Sequence, residues 1–193
     1  MLGAMQEAAE RDDPVESGRA ARVAHRDPYG LLGASRLELR DYWHGLSPVA
    51  PKIMYVMLAR ESDGSFGGTA ELSVGEQLRR KESLKVTLPQ AVAKRILSTL
   101  ARAPATPGEY TPWIEHTDDY PDVEIHVEVP AGTITFHSRS QGKDHTPWGL
   151  RVSGVEHTVT SPLPARALRL LRRSTAHDRL KSAARELMRR RRS

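Results

Sequence analysis

The chain has 193 residues, of which 38% are hydrophobic and 27% are charged, and it carries a formal net charge of +5. This length predicts one domain with at most a small appendage. The absence of cysteine excludes disulfides, thiol nucleophiles and cysteine-ligated metals. No apolar run approaches the roughly 18 residues of a membrane-spanning helix, and the N-terminus lacks the pattern of a secretory signal, so we expect no membrane span and a cytoplasmic location.

Positive charge is concentrated at the C-terminus. Residues 163–193 contain 11 lysines and arginines against 2 acidic residues, a net charge of +9. Residues 1–162 contain 18 against 22, a net charge of −4. The body of the chain is therefore mildly acidic, and the basic character belongs to the tail.

Composition divides the chain into three parts. Residues 1–35 carry few large apolar side chains, and we expect a disordered or weakly structured segment that becomes ordered near Tyr29. Residues 36–173 carry the alternating and helical patterns of a single α+β domain. Residues 174–193 are predicted to be a basic C-terminal helix or tail, with an apolar stripe within 178–190.

The first predicted strands surround a hairpin. Segment 37–43 alternates, and the runs at 52–59 and 66–74 flank Asp63-Gly64, a strong signal for a two-residue turn. Leu37, Leu39 and Trp43 share one side of the first strand. The turn predicts an apolar face on which Ile53 opposes Val74, Tyr55 opposes Leu72 and Met57 opposes Ala70.

A short strand at 83–88 and a helix follow. Pro89 suits the first turn of that helix. Its predicted inward residues are Val92, Ile96, Leu97 and Leu100. Segment 103–122 is rich in Pro, Thr, Gly and Asp, and we expect a long loop there.

A second predicted hairpin joins segments 122–129 and 133–139. Its register, which fits either an Ala131-Gly132 turn or a four-residue loop, opposes Val127 with Phe136 and Val129 with Ile134 on the buried face. On the exposed face it opposes Glu124 with Arg139 and His126 with His137. Strands at 148–154 and 155–161 follow, and then a helix with Leu163, Ala167, Leu168 and Leu171 inward.

The order of elements is about four strands and a helix, repeated once. It predicts an α+β fold, in which an antiparallel sheet of about eight short strands is built from two halves and the helices pack on one face. The halves suggest a duplication, although their shared residues are too few to establish one. Hairpin neighbours do not fix how the two halves join.

The spacing of the strand at Tyr55, the Asp63-Gly64 hairpin, Thr117-Asp118 before Pro121, and a final helix led by proline is similar to small bacterial α+β domains without an assigned activity. The likeness spans roughly residues 52–172. It implies the fold class and transfers no catalytic residue.

The stretch HTDDYP, residues 116–121, and two sheet histidines define a candidate metal site. His116, Asp118, His126 and His137 would supply nitrogen and oxygen ligands, since opposed cross-strand side chains lie about 5 Å apart. The alternative is structural: Asp118 or Thr117 caps a turn, and the histidines form a solvated pair. We favour the structural alternative and predict no cofactor.

The sequence favours a non-enzymatic protein, because it has no phosphate-binding loop, no HExxH and no GxSxG. Our first hypothesis is a binding domain for a protein partner. Loop aromatics beside prolines often anchor partners, which makes Tyr110, Trp113 and Trp148 the candidate contact residues, with packing at the core edge as the alternative.

Two further hypotheses remain. The basic tail would associate with nucleic acid through its arginines and lysine, although it has no aromatic residue for base stacking. The candidate residues are Arg179, Lys181, Arg185, Arg189, Arg190, Arg191 and Arg192. The third hypothesis is a metal-dependent hydrolase built on His116, Asp118, His126 and His137.

Overall fold

A computed structural model describes residues 27–44, 53–74, 80–114, 120–140 and 143–175. These residues form nine strands and two α-helices, preceded by a 3-10 turn at Leu31–Gly33. In chain order the elements are β1 (Arg36–His44), β2 (Ile53–Arg60), β3 (Phe66–Val74), β4 (Arg80–Leu88), α1 (Gln90–Ala101), β5 (Thr106–Pro107), β6 (Tyr120–Val129), β7 (Gly132–Ser138), β8 (Trp148–Val152), β9 (Val155–Val159) and α2 (Leu163–Ser174). The α+β class predicted from the sequence is thus found.

All nine strands belong to one antiparallel sheet in the order β4-β3-β2-β1-β6-β7-β8-β9-β5. Each half is a meander of consecutive strands, and the long β1–β6 pairing joins the halves at the centre. The two-residue strand β5 lies inside the segment predicted to be a loop, and it pairs with β9 at the far edge.

One face of the sheet carries the apolar core. Alternate residues of neighbouring strands meet there, as in the rows Val56–Leu39–Ile125 and Leu58–Leu37–Val127. These side chains are fully buried. Because the side-chain period of a strand is two, the residues between them point to the opposite side, which we call the open face.

The two helices contribute to the same core. In α1, Ile96, Leu97 and Leu100 are buried, as the helical spacing predicts, and Val92 is partly buried against the core. In α2, Ala167, Leu168 and Leu171 are buried, and Leu163 lies at the rim. Neither helix is long and apolar enough to cross a membrane, within the described part of the chain.

The 3-10 turn is fixed to the domain by its own cap. Both carboxylate oxygens of Asp27 accept backbone N–H groups, from Leu31 and from Leu32, each at 2.8 Å. Leu31 is fully buried and Ala34 is part of the core. The core therefore includes side chains that precede β1.

The predicted register of the β2–β3 hairpin is wrong by one residue. Arg60 pairs with Phe66, and the Glu61 N–H donates to Ser65 O at 2.8 Å, which leaves a three-residue loop ending at Gly64. Gly64 adopts φ +81°, the conformation that such a loop requires. Adding one loop residue turns β2 over, so the buried residues are Met54, Val56 and Leu58 rather than Ile53, Tyr55 and Met57.

The predicted register of the β6–β7 hairpin is wrong by two residues. The turn is Pro130-Ala131, because Val129 pairs with Gly132. Val127 therefore opposes Ile134 and not Phe136. A shift of two keeps every side chain on its predicted face while changing each partner.

Candidate functional site

The open face is densely charged from β1 to β9. Arginines and carboxylates alternate along β1 and across neighbouring strands, and they lie within ion-pair distance of one another. The pairs are Arg36–Glu38, Arg36–Glu128, Arg40–Glu38, Arg40–Glu124, Arg139–Asp122 and Arg151–Glu156. Exposed ion pairs contribute little stability individually, so these pairs are a minor part of what holds the sheet together.

The two sheet histidines do not face each other as predicted. His126 lies opposite Thr135, and His137 lies opposite Glu124. The ring nitrogens of His126 contact Thr135 Oγ1 at 3.1 Å and Glu124 Oε2 at 3.0 Å. His126 therefore has a carboxylate partner on its own strand, and the predicted cross-strand histidine pair does not form, because the turn is Pro130-Ala131 instead of Ala131-Gly132.

His137 reaches across β8 to a carboxylate on β9. Its Nε2 lies 2.6 Å from Glu156 Oε1, and the other oxygen of Glu156 accepts a hydrogen bond from Arg151 Nε at 3.1 Å. Gly149 lies between them on β8. A Cβ there would stand 2.3 Å from His137 Nε2 and 2.7 Å from Glu156 Oε1, so the pair exists because this position has no side chain.

A short segment after β5, residues 109–114, crosses onto the open face and is called the aromatic strap. Thr158 Oγ1 donates to Glu109 O at 3.1 Å. The Tyr110 ring stands edge-on to His137, with centroids 4.9 Å apart. The strap therefore lies directly beside the His137–Glu156 pair.

Two buried serines lie at the end of β7, and one of them, Ser140, contacts the strap directly. The Tyr110 hydroxyl accepts the Arg139 N–H at 2.8 Å and lies 3.4 Å from Ser140 Oγ. Ser140 Oγ accepts the Trp113 N–H at 3.1 Å and donates to Pro147 O at 3.3 Å. Ser138 Oγ donates to His145 O at 2.5 Å. The hydroxyls thus join the strap to the loop before β8.

A cleft of about 430 Å³ lies between the strap and the open face. It is lined by Glu109, Tyr110, Pro112, Asp122, Glu124, His137, Arg139, Arg151 and Glu156. Four carboxylates face two guanidinium groups and one imidazole, so negative charge predominates in the lining. Such a cleft favours a cationic group over an anionic one.

Glu124 is held in its charged form. The hydrogen bond from His126 lowers the pKa of this carboxyl, the charges of His126, Arg40 and His137 lower it further, and burial opposes them. Glu124 therefore contributes a negative charge to the cleft at neutral pH.

The predicted contact residues separate into two kinds. Trp113 is 51% exposed on the strap, and the neighbouring Ile114 is also exposed. Trp148 is fully buried, and its Nε1–H donates to Asp144 O at 3.1 Å, so it belongs to the core instead of a contact surface. Trp148 is buried because it begins β8 on the side of the strand that faces the core.

His145 lies beside Trp148, with ring centroids 6.2 Å apart. Its Nδ1 is buried and has no hydrogen-bond partner in the described residues, and its φ is +55°. Burial lowers the pKa of His145, and the positive charge of Arg172 lowers it further. The charges of Asp41 and Asp144 and a backbone hydrogen bond with Ser140 raise the pKa, but the net shift is downward. Arg172 is itself bound to Asp41 by hydrogen bonds of 3.0 and 2.6 Å.

Several candidate residues lie outside the described ranges. They are His116 and Asp118 of the candidate metal site and the tail residues Arg179, Lys181, Arg185, Arg189, Arg190, Arg191 and Arg192. Among the residues that the structure describes, no three His, Asp or Glu side chains are arranged to hold a metal ion.

Sequence reasoning identified His137, Tyr110 and Trp113 but missed Glu156, Ser140 and Gly149. The sequence contained one signal for the contact across β8. A glycine inside a strand, such as Gly149 in WGLRV, often marks a close approach by another group. Its meaning depends on which residues flank it in the sheet.

No protein-family model matches this chain, and neither the curated proteins nor the solved structures contain a match. The geometry of the cleft and the strap is therefore the basis for assigning a function.

Proposed function

We propose that the protein is a binding domain that takes a segment of a partner protein between the aromatic strap and the cleft. The observation that carries this proposal is Trp113, an exposed aromatic side chain on a backbone that hydrogen bonds hold in place. Tryptophan and tyrosine are enriched among the few residues that carry most of the binding energy of a protein interface. Fixing the strap in advance reduces the entropy lost when a partner binds.

The charge of the cleft supports a partner segment with a lysine or arginine near an apolar residue. Glu109 has no ion-pair partner in the described part of the chain, while Glu124 and Glu156 are already paired with histidines. An incoming cation would meet Glu109 and the edge of the cleft, and its apolar neighbour would pack on Trp113 and Ile114. In this proposal His137 and Glu156 shape the surface and transfer no proton.

The test is selection of a random phage-displayed peptide library on the immobilised full chain. We expect enriched peptides to combine a basic and an apolar residue. Replacing Trp113→Ala should weaken the best peptide by about 10-fold, the loss of roughly 1.4 kcal/mol typical of an anchor residue, and Glu109→Gln should weaken it less.

The matched control is Val155→Ala, which removes another exposed apolar side chain, 56% exposed, from the face opposite Glu156. It should leave the affinity unchanged. Failure to enrich any peptide, or equal affinity for the wild type and Trp113→Ala, would contradict the proposal.

We also propose, as a second function, association with nucleic acid through residues 176–193. The segregation of charge favours it, since residues 163–193 carry a net charge of +9 and the rest −4. Contact with about 5 phosphates of duplex DNA gives a slope of log affinity against log salt near −4.5. Replacing Arg189, Arg190, Arg191 and Arg192 with serine in the full chain should bring that slope to about −1. Absence of binding at low salt would reject this function.

A further inference from the structure

The strand β4 ends the sheet on the side away from the cleft. Among the described strands its neighbour is β3, with which it pairs along all nine residues from Arg80 to Leu88. The four residues from Glu82 to Lys85 are exposed on both faces of the sheet. The outer backbone groups of a strand in this position can pair with another strand.

The opposite edge of the sheet is finished differently. There β5 has two residues, one of which is Pro107, and the chain then continues into the aromatic strap. A very short strand with proline is a common way to prevent edge pairing. Of the two edges, β4 is therefore the one suited to association.

Leu84 supplies the apolar contact for such an association. It lies on the core face opposite Ala70 of β3, yet 38% of its surface is exposed. Its neighbour Val86 is buried by the core. A further strand beyond β4 would cover Leu84 and extend the apolar row that ends there.

We infer that two copies of this chain associate through antiparallel pairing of β4 with β4, with Leu84 opposite the second copy's Leu84. Because faces must be preserved, alternative registers differ by two residues at a time. Shifting by two in one direction opposes Lys85 with Lys85, and in the other it pairs only residues 80–86 of each strand. Like charges directly opposite destabilise a sheet.

The inferred register avoids both disadvantages. It places Lys85 opposite Ser83, and it is the register that overlaps all nine residues of both strands. The second copy's Leu84 would then meet Leu84 on the core face. The pairing is isologous, because the same residues of both copies form it.

This association leaves both clefts open. Five strand spacings of about 4.8 Å separate β4 from β7, so the cleft lies some 24 Å from the shared edge. The dimer would present two clefts on one continuous sheet. It does not depend on the proposed function of the cleft.

The chain has no cysteine, so a single introduced cysteine reports the register. Opposed residues of antiparallel strands have Cα atoms about 4.5–5.5 Å apart, which a disulfide can bridge. We expect Leu84→Cys to form a disulfide-linked dimer under mild oxidation. Glu82→Cys, a control that is also exposed on the same face, would be separated from its copy by about 14 Å along the strand and should not cross-link.

Light scattering after size exclusion gives the mass of the unmodified chain. We expect twice the 21.5 kDa of one chain, and the monomer mass for Leu84→Lys with an unchanged circular dichroism spectrum. A monomeric wild type at the highest soluble concentration, a dimeric Leu84→Lys, or equal cross-linking of the two cysteine variants would overturn the inference.

Discussion

Two strand glycines, Gly68 in β3 and Gly149 in β8, allow close approaches of different kinds. A Cβ at Gly68 would lie 1.9 Å from the backbone carbonyl oxygen of Met57 on β2. A Cβ at Gly149 would instead meet the side chains of His137 and Glu156. The first glycine serves the pairing of two strands, and the second makes space for a pair of polar side chains on the open face.

The difference separates the two halves of the sheet. Strands β1–β4 form a simple meander whose outer edge is a full-length strand. Strands β6–β9 carry the strap, the buried serines and the cleft. The first half ends in the edge strand that we infer to pair with a second copy, while the second half positions the groups that we propose to bind a partner. Substitutions in the first half should therefore mainly lower stability, while substitutions in the second half should also disrupt the cleft or the strap.

Gly68→Ala should have the largest effect on stability. The added methyl collides with backbone, which moves only if the β2–β3 pairing is distorted, so we expect a loss of about 3 kcal/mol or more. Urea denaturation measures it. Gly33→Ala is the matched control, because a Cβ there has open space, and it should change stability by less than about 0.5 kcal/mol. Equal stability of the two variants would show that β2 and β3 are not this close.

Gly149→Ala should cost less stability and should specifically disrupt the cleft. The groups it meets are side chains that can rotate away, so we expect a loss of about 2 kcal/mol together with separation of His137 from Glu156. The imidazole proton and nitrogen resonances of His137 should shift, and those of His126 should change little. Binding of a peptide selected on the wild type should weaken. Unchanged His137 resonances would mean that the pair does not cross β8.

Ser140→Ala should loosen the strap. It removes an acceptor for the Trp113 N–H and a donor to Pro147 O, and unpaired buried groups of this kind cost about 1–2 kcal/mol. Hydrogen exchange at the Trp113 amide should become faster than in the wild type. The exchange rates of the α1 amides should change only by the amount that the loss of global stability explains. Ser83→Ala, at an exposed position of β4, serves as the control. An exchange rate at Trp113 in Ser140→Ala equal to that of the wild type would show that contacts other than Ser140 hold the strap.

The elements of the fold were predictable where burial follows a simple period. Ile96, Leu97 and Leu100 of α1, and Ala167, Leu168 and Leu171 of α2, lie on the predicted stripes because a helix on a core needs one apolar side. The faces of β6 were also predicted, since Val127 and Val129 are buried and His126 lies on the other side.

The registers were not predictable with the same certainty, because one loop residue decides them. Asp63-Gly64 fits a two-residue turn, but Gly64 closes a three-residue loop and the Asp63 carboxylate accepts the Ser65 N–H at 2.8 Å. The apolar and mixed faces of β2 differ little in composition, with Tyr55 and Met57 on one and Val56 and Leu58 on the other. Hydrophobicity alone therefore did not distinguish them.

The cleft required more than local pattern. The contact of His137 with Glu156 depends on the β7–β8 and β8–β9 registers together, and on a glycine between them. Tyr110 joins it because β5 pairs with β9, which brings a distant segment to that edge. Sequence supplied the types of residue, but the sheet order supplied their proximity.

The smallest expected effect concerns His145, which lies beside Trp148 in the half of the sheet that carries the cleft. Because its pKa is lowered in the folded protein, the unfolded chain takes up a proton below about pH 6.5 that the folded chain does not. The free energy of unfolding should thus decrease as the pH falls from about 6.5 toward the lower pKa of the folded state. His145→Asn should reduce this dependence, and asparagine tolerates the positive φ at this position. Urea denaturation at a series of pH values measures the dependence, and an NMR titration of the His145 ring measures its pKa directly. A ring that titrates at or above the ordinary histidine value would assign the loss of stability in acid to carboxylates such as Glu124, whose lowered pKa acts only at more acidic pH.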